Sequence, residues 1–174
     1  MEPKVTMGGG MKVIGCGVRT SYSSELDSVT AKIPGLWKRF FEERLEEKIP
    51  NRTHPGNLLG VYTDYESDYT GAYSLIVSAE VSSLESVPEG MTGLTIPAGR
   101  YLVFPASGPI PDAIIQAWKN VWNYFSQSSE YRRGYTTDFE SYRWNPDTQQ
   151  TEAEIHIAVS PGTYPFTDSS TRRQ

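Results

Sequence analysis

The sequence predicts an α+β protein built from two copies of a β-α-β-β unit. Two segments carry apolar and aromatic residues at helical spacing, and each is preceded by one strand-like run and followed by two more. Two hexapeptides, YTDYES at 62–67 and TTDFES at 136–141, nearly repeat each other. Internal similarity of this kind indicates a duplicated unit. We therefore expect one curved antiparallel sheet with two main helices on one face and a groove at the pseudo-two-fold axis.

The first copy is predicted to span about residues 11–81. Apolar runs bounded by Gly, Pro and Ser predict its strands, and a stripe of Leu, Trp and Phe side chains between two prolines predicts its helix. The predicted elements are strands at 3–7 and 11–20, separated by three glycines, a helix from Pro34 to about Lys48, and strands at 58–64 and 72–81.

The second copy is predicted to span about residues 94–159. Its predicted elements are a strand at 94–104 with a bend at 97–99, a helix opening near Pro111, and strands at 135–143 and 151–159. The helix is predicted because Ile114, Trp118 and Val121 fall at intervals of three and four residues. We expect residues 1–161 to form a single domain and residues 162–174 to form a flexible C-terminal tail.

Charge and composition narrow the class of protein. The formal charge is −5 and no segment gathers Lys and Arg, so we expect no direct nucleic-acid partner. No leader or membrane span is found, and the single Cys16 suits a reducing compartment, so we expect a soluble, cytoplasmic protein. The two histidines lack partners at ligand spacing, and the glycines at 8–10 are not followed by phosphate-binding residues, so neither metal nor cofactor is expected.

Aromatic residues are the unusual feature of the composition. The chain has 11 Tyr, 4 Trp and 6 Phe, and many of them cluster around the two hexapeptides. A tyrosine offers an apolar face with a polar tip, which suits partial enclosure of a flat or cationic small molecule. Tyrosine also favours strands, so packing within the sheet is the alternative explanation for each of them.

Three segments together resemble a known family. The run IPAGRYLVF at 96–104 is followed by the helix carrying Ala117 and Trp118, and then by DFESY at 138–142. In this order and spacing they resemble the GyrI-like domain, also called the AraC-type effector-binding domain, over residues 11–160. The resemblance implies a duplicated small-molecule-binding fold. Family members are fused to DNA-binding domains or stand alone, and without a helix-turn-helix segment this chain resembles a standalone member.

The resemblance also implies a ligand site. It assigns Glu140 as the acidic residue of the pocket and, with less specific support, surrounds it with aromatic side chains, here Tyr142, Trp118, Tyr73 and Tyr62. Strand alternation agrees with this assignment because Asp138, Glu140 and Tyr142 share one side of their strand. A carboxylate among aromatic rings loses hydration and favours a lipophilic cation as its partner.

The alternative for Glu140 is a structural one. At a solvated sheet edge, its carboxylate would pair with Arg143, Arg100 or a tyrosine hydroxyl and would have no ligand. Trp118 likewise lies within an apolar helical stripe, where packing in the core explains it as well as ligand contact does.

The favoured function is non-enzymatic capture or sensing of a hydrophobic, cationic or aromatic drug or toxin. One alternative is a small-molecule hydrolase in which Glu140 acts as general acid or base beside Tyr142. The other is an inhibitor of a protein partner. Exposed strand edges also make a homodimer an option.

Overall fold

A computed structural model describes residues 3–127 and 130–161, which fold into an antiparallel sheet with helices on one face. The elements in chain order are β1 (Lys4–Gly8), β2 (Lys12–Ser21), α1 (Tyr22–Glu25), α2 (Ile33–Glu42), a 3-10 turn (Leu45–Lys48), β3 (Leu58–Thr63), β4 (Ala72–Val81), β5 (Thr92–Thr95), β6 (Gly99–Ala106), α3 (Asp112–Ser126), β7 (Tyr131–Arg133), β8 (Thr137–Asn145) and β9 (Gln150–Pro161). The predicted α+β class and antiparallel sheet are therefore confirmed.

The strand order is symmetric about the border between β8 and β3. Along the sheet it runs β1-β6-β9-β8-β3-β4-β2-β5, with β7 paired to β9 beside this path. On one side of the border α2 connects β2 to β3, and on the other side α3 connects β6 to β8. This order is compatible with a duplicated β-α-β-β unit whose copies meet at β3 and β8, and the duplication itself stays a prediction.

Each face of the sheet buries its own apolar residues. Leu36 and Phe40 of α2 pack on β2 and β4, while Ala117 and Val121 of α3 pack on β6 and β9. The opposite face buries a third cluster that contains Val13, Leu59, Val61, Ile76, Ile96, Tyr101, Phe139 and Ala158. The helices therefore cover one face only.

The opposite face is closed by the two ends of the sheet. The Gly10 amide donates to the Ile96 carbonyl and the Ile96 amide donates to the Met11 carbonyl, each at 2.7 Å. The β1–β2 and β5–β6 connections thus contact each other, and each of them joins a strand in one half of the sheet to a strand in the other half. The sheet is strongly curved as a result.

Two predicted elements are divided in the structure. The helix predicted to reach Lys48 ends at Glu42, because Arg44 adopts a left-handed conformation (φ 51°) that a continuous helix excludes. The strand predicted at 94–104 is two strands, since the chain bends at Pro97 and the two parts pair with different neighbours. The short strand β7 lies just before the strand predicted at 135–143, where no strand was predicted.

The two hexapeptides do not occupy equivalent positions. Residues 64–67 follow the end of β3 in a loop, whereas residues 138–141 lie inside β8. Local identity of a few residues was the wrong guide to how the copies align, because strand pairing rather than sequence identity sets which positions face each other.

Two predictions about domain boundaries are not tested by the structure. The flexible tail predicted at 162–174 lies outside the described residues, and the single-domain boundary at 1–161 remains a prediction. Over the described part of the chain, none of the helices combines the length and apolar character needed to cross a lipid bilayer.

Candidate functional site

A groove of about 630 Å³ lies on the helix-covered face, where β3 and β8 meet between α2 and α3. Its floor contains Glu140, Tyr142 and Tyr62, and its side walls include Trp37 from α2 and Trp118 from α3. A volume of this size is typical of small-molecule sites. The groove therefore lies at the border between the two halves of the sheet.

Glu140 is the charged group at the bottom of the groove. Only 4% of its surface is exposed, and its carboxylate accepts three hydrogen bonds from neutral donors. Tyr62 donates its hydroxyl hydrogen to Oε1 at 2.6 Å, Trp118 donates its indole N–H to the same oxygen at 2.8 Å, and Tyr142 donates to Oε2. Within the described residues, no Lys, Arg or His forms an ion pair with Glu140.

The two tyrosines remain protonated donors. Burial, and then the negative charge of Glu140, raise the pKa of Tyr62 and of Tyr142 well above the ordinary value. A second phenolate beside a buried carboxylate would add a like charge in a poorly hydrated place. The hydroxyl hydrogens therefore stay on the tyrosines, directed at Glu140, through the whole neutral range.

Two aromatic pairs flank Glu140 in a nearly symmetric way. Gly60 and Glu140 are direct partners in the β3–β8 pairing, so Tyr62 and Tyr142 each lie two residues beyond this central pair. Tyr62 contacts Trp118 edge-on, with ring centroids 5.3 Å apart, and Tyr142 contacts Trp37 edge-on at 5.4 Å. The groove thus has two matching aromatic walls but a carboxylate on β8 only.

The entrance to the groove is apolar and partly open to solvent. Four large side chains at its rim are 38% to 59% exposed: Ile110, Ile115, Trp144 and Phe41. Exposed apolar residues grouped at a concavity mark a binding surface more specifically than single ones do.

Four of the five predicted site residues come together here. Glu140, Tyr142, Trp118 and Tyr62 all line the groove. Tyr73 does not, because it lies behind Tyr62, with ring centroids 5.6 Å apart, and lines a smaller cavity instead.

The structural alternative for Glu140 does not describe its surroundings. Arg143 pairs with Glu154 at 3.4 Å, and Arg100 lies 5.9 Å from the ring centre of Tyr131. Tyrosine hydroxyls do contact Glu140, but in a buried place and not at a solvated edge.

Sequence reasoning missed the wall formed by α2 and the isoleucines of the rim. The signal for Trp37 was present, since it precedes a lysine in the first helical stripe just as Trp118 does in the second. The isoleucines carry no comparable signal. As to metals, the described residues contain no group of three or more His, Cys, Asp or Glu side chains placed to hold an ion.

Comparisons with known proteins agree with this description. The family model of Cass2, an integron-associated effector binding protein, matches residues 9–159. An integron cassette protein from the mobile metagenome of Vibrio cholerae is 34% identical, with 91% of this chain and 96% of that chain covered and a TM-score of 0.75. No curated protein gives a significant match.

Two more distant structures share the fold. SAV2435, solved bound to tetraphenylphosphonium, is 22% identical, with 92% of this chain and 94% of that chain covered and a TM-score of 0.71. EcmrR, solved in a complex with DNA, is 17% identical, with 92% of this chain and 58% of that chain covered and a TM-score of 0.59. The fold implied by the resemblance to GyrI-like domains is thereby confirmed.

Proposed function

The chain belongs to the Cass2 family of integron-associated effector-binding proteins, and on that basis we propose that it binds a hydrophobic organic cation in the groove above Glu140. The ligand class is a positive charge spread over, or shielded by, aromatic or alkyl groups. The protein acts by holding or sensing this ligand and not by converting it.

The observation that carries this proposal is that Glu140 is buried with three neutral hydrogen-bond donors and, within the described residues, no cationic partner. A buried carboxylate is costly unless a positive charge or several donors compensate it. Its three neutral donors fix the position of the carboxylate and offset part of the cost, but they leave the net charge in place. A bound cation would supply the missing charge.

The walls favour a cation that is itself apolar. Tyr62, Tyr142, Trp37 and Trp118 present aromatic rings, and ring faces attract cations by up to about 2 kcal/mol where water is excluded. A small hydrated cation would lose its water shell without filling the groove, whereas a bulky lipophilic cation loses little hydration and buries the apolar rim. The fold of SAV2435, which holds tetraphenylphosphonium, supports the same ligand class.

The direct test compares a cation with a neutral molecule of similar shape. Tetraphenylphosphonium and triphenylphosphine oxide are titrated into the protein by calorimetry. We expect the cation to bind and the Glu140→Gln variant to weaken it at least tenfold, with little change for the oxide. Glu85→Gln, which removes one exposed charge in a distant loop, is the control.

Equal binding of the cation by wild type and Glu140→Gln would contradict the charge-reading role of Glu140. Equal binding of the cation and the oxide by wild type would contradict the proposed ligand class.

The biological output is proposed as sequestration or effector sensing. EcmrR, which shares the fold, was solved in a complex with DNA, so this fold occurs in a protein that binds DNA. The two outputs differ in stoichiometry, since sequestration requires protein in amounts comparable to the toxic compound, whereas sensing requires a partner that distinguishes the ligand-bound form. Expression of the chain at high and low levels in cells exposed to a bound cation separates them.

A further inference from the structure

A second cavity lies behind the wall formed by Tyr62 and Trp118. Its volume is about 180 Å³, and these two side chains line both it and the main groove. Its remaining lining is five aromatic residues and one arginine: Tyr22, Tyr65, Tyr69, Tyr73, Trp122 and Arg133. We call this space the aromatic box.

Arg133 is the one charged residue that lines the aromatic box. It is 93% buried, since only 7% of its side chain is exposed. Its Nη2 donates to Asp138 Oδ2 at 2.8 Å, and its guanidinium carbon lies 4.6 Å from the ring centre of Tyr135. Its Nε–H is buried and has no hydrogen-bond partner. A buried donor without an acceptor is uncommon in native proteins and calls for an explanation.

We propose that the aromatic box is a second ligand subsite, which takes a single aromatic ring bearing a neutral hydrogen-bond acceptor such as a carbonyl. The ring lies among the tyrosine and tryptophan side chains. The acceptor faces Arg133 and takes the hydrogen on Nε after a small rotation of the guanidinium group.

The size of the box matches one ring. An apolar cavity of about 150 Å³ in another protein holds benzene, so about 180 Å³ leaves room for a ring and one small substituent. Aromatic neighbours favour an aromatic guest, because offset and edge-on ring contacts add to the burial of apolar area.

The charges around the box favour a neutral guest. Asp138, which is fully buried, neutralises Arg133, so an anion gains little there. Burial, and after it the negative charges of Glu25 and Glu140, raise the pKa of Tyr73, so both carboxylates lie near the box and disfavour an anion further. A cation offers no lone pair to accept the hydrogen on Nε of Arg133, so it would leave that donor unpaired. An uncharged acceptor meets none of these penalties.

The proposed subsite in the aromatic box is independent of the proposed cation site in the main groove. It uses a different polar group, and it shares with the main groove only the wall of Tyr62 and Trp118. If both sites operate, a ligand with a cationic end and a carbonyl-bearing ring can reach both only by displacing that wall.

The test uses two probes of the same shape. Acetophenone carries a carbonyl oxygen at the position where cumene carries a second methyl group. Each probe is titrated into nitrogen-15-labelled protein, and the signals of the four indole N–H groups are followed by NMR. We expect acetophenone to bind about tenfold more tightly than cumene and to shift the Trp122 signal. Equal binding of the two probes, binding without a shift of Trp122, or no binding of either probe would overturn the proposal.

Two variants locate the probe. Tyr69→Ala opens the partly exposed outer wall of the box and should weaken acetophenone binding about tenfold, whereas Ile115→Ala at the rim of the main groove should leave it unchanged. The double variant Arg133→Met with Asp138→Asn removes the donor without leaving a lone buried charge, and should abolish the preference for acetophenone over cumene. Loss of binding in Ile115→Ala alone would place the probe in the main groove and refute the subsite.

Discussion

Gly60 on β3 lies directly opposite Glu140 on β8, at the centre of the border between the two halves of the sheet. A Cβ atom added at Gly60 would lie 3.3 Å from Glu140 Oε2 and 3.4 Å from Cζ2 of Trp37. The missing side chain thus leaves room both for the carboxylate and for the tryptophan that forms the second wall. One half of the sheet supplies the charge, and the other half supplies the space that the charge occupies.

Substituting Gly60 therefore tests the groove without removing any functional group. In Gly60→Ala the carboxylate and the Trp37 ring must each move by a few tenths of an ångström, and we expect tetraphenylphosphonium affinity to fall about tenfold, or about 1.4 kcal/mol. The free energy of unfolding should change by less than about 1 kcal/mol, since the loss of glycine's conformational freedom offsets the tight contact.

The control for this variant is Gly35→Ala. Gly35 is an exposed glycine inside α2, and a Cβ there meets nothing within 4 Å. It should stabilise the protein by up to about 1 kcal/mol through helix propensity and leave cation affinity unchanged. If Gly60→Ala bound the cation as tightly as wild type, the close fit at Glu140 would have no role in binding.

The hydroxyl of Tyr62 should stabilise the fold through Glu140. Tyr62→Phe removes a 2.6 Å hydrogen bond to a buried carboxylate, and we expect the free energy of unfolding to fall by about 2 kcal/mol in urea denaturation. The loss should shrink in a Glu140→Gln background, where the acceptor is uncharged. Tyr22→Phe, at an exposed position, should cost little. Equal losses in the two backgrounds would show that the charge of Glu140 does not strengthen this bond.

Alkaline pH should destabilise the protein through its buried tyrosines. Burial raises the pKa of Tyr73 to about 12, so the unfolded chain loses this proton near pH 10 while the folded chain keeps it. The stabilising contribution is fully present below pH 10 and is lost between pH 10 and 12, at up to about 1.4 kcal/mol per pH unit for each such phenol. Urea denaturation at pH 8 to 11.5 measures this slope, and Tyr73→Phe should make it shallower. An unchanged slope in that variant would contradict the raised pKa of Tyr73.

The ion pair of Arg133 and Asp138 should behave as a single unit. Arg133→Met leaves Asp138, which is fully buried, without its cation, and we expect the free energy of unfolding to fall by about 3–5 kcal/mol. Tyr65 and the Ala158 amide still donate to that carboxylate, so the fold should survive at low temperature. Adding Asp138→Asn should recover much of the loss, and a double variant no more stable than Arg133→Met alone would refute the coupling.

The sequence was informative wherever an interaction is local. Apolar residues at helical spacing predicted α3 and most of α2, and the apolar runs predicted nearly all of the strands. Alternation along β8 placed Glu140 and Tyr142 on one side of the strand, as the structure has them. Resemblance to effector-binding domains added the prediction that Glu140 is the acidic residue of a ligand pocket, which a pattern of alternating residues does not specify.

The same patterns do not predict contacts between segments that are far apart in the sequence. The hexapeptide repeat aligned residues 62–67 with 136–141, but the strands pair so that Tyr62 and Tyr142 hold matching positions around Gly60 and Glu140. Tyr73 was expected beside Glu140 because the family resemblance surrounds that residue with aromatic side chains from neighbouring strands, yet it lines the aromatic box. Nothing local distinguishes a ring in front of Tyr62 from one behind it.

The sequence by itself determined the class of fold, the type of most elements and the presence of one carboxylate among aromatic residues. The tertiary structure decided which oxygen each donor reaches, which tryptophan forms the second wall and that the buried Nε of Arg133 has no acceptor. The physical reason is the sequence distance over which each kind of interaction acts. Periodicity records how a residue faces its own helix or strand, whereas contacts between positions about 80 residues apart depend on strand register and on how the helices pack over the sheet.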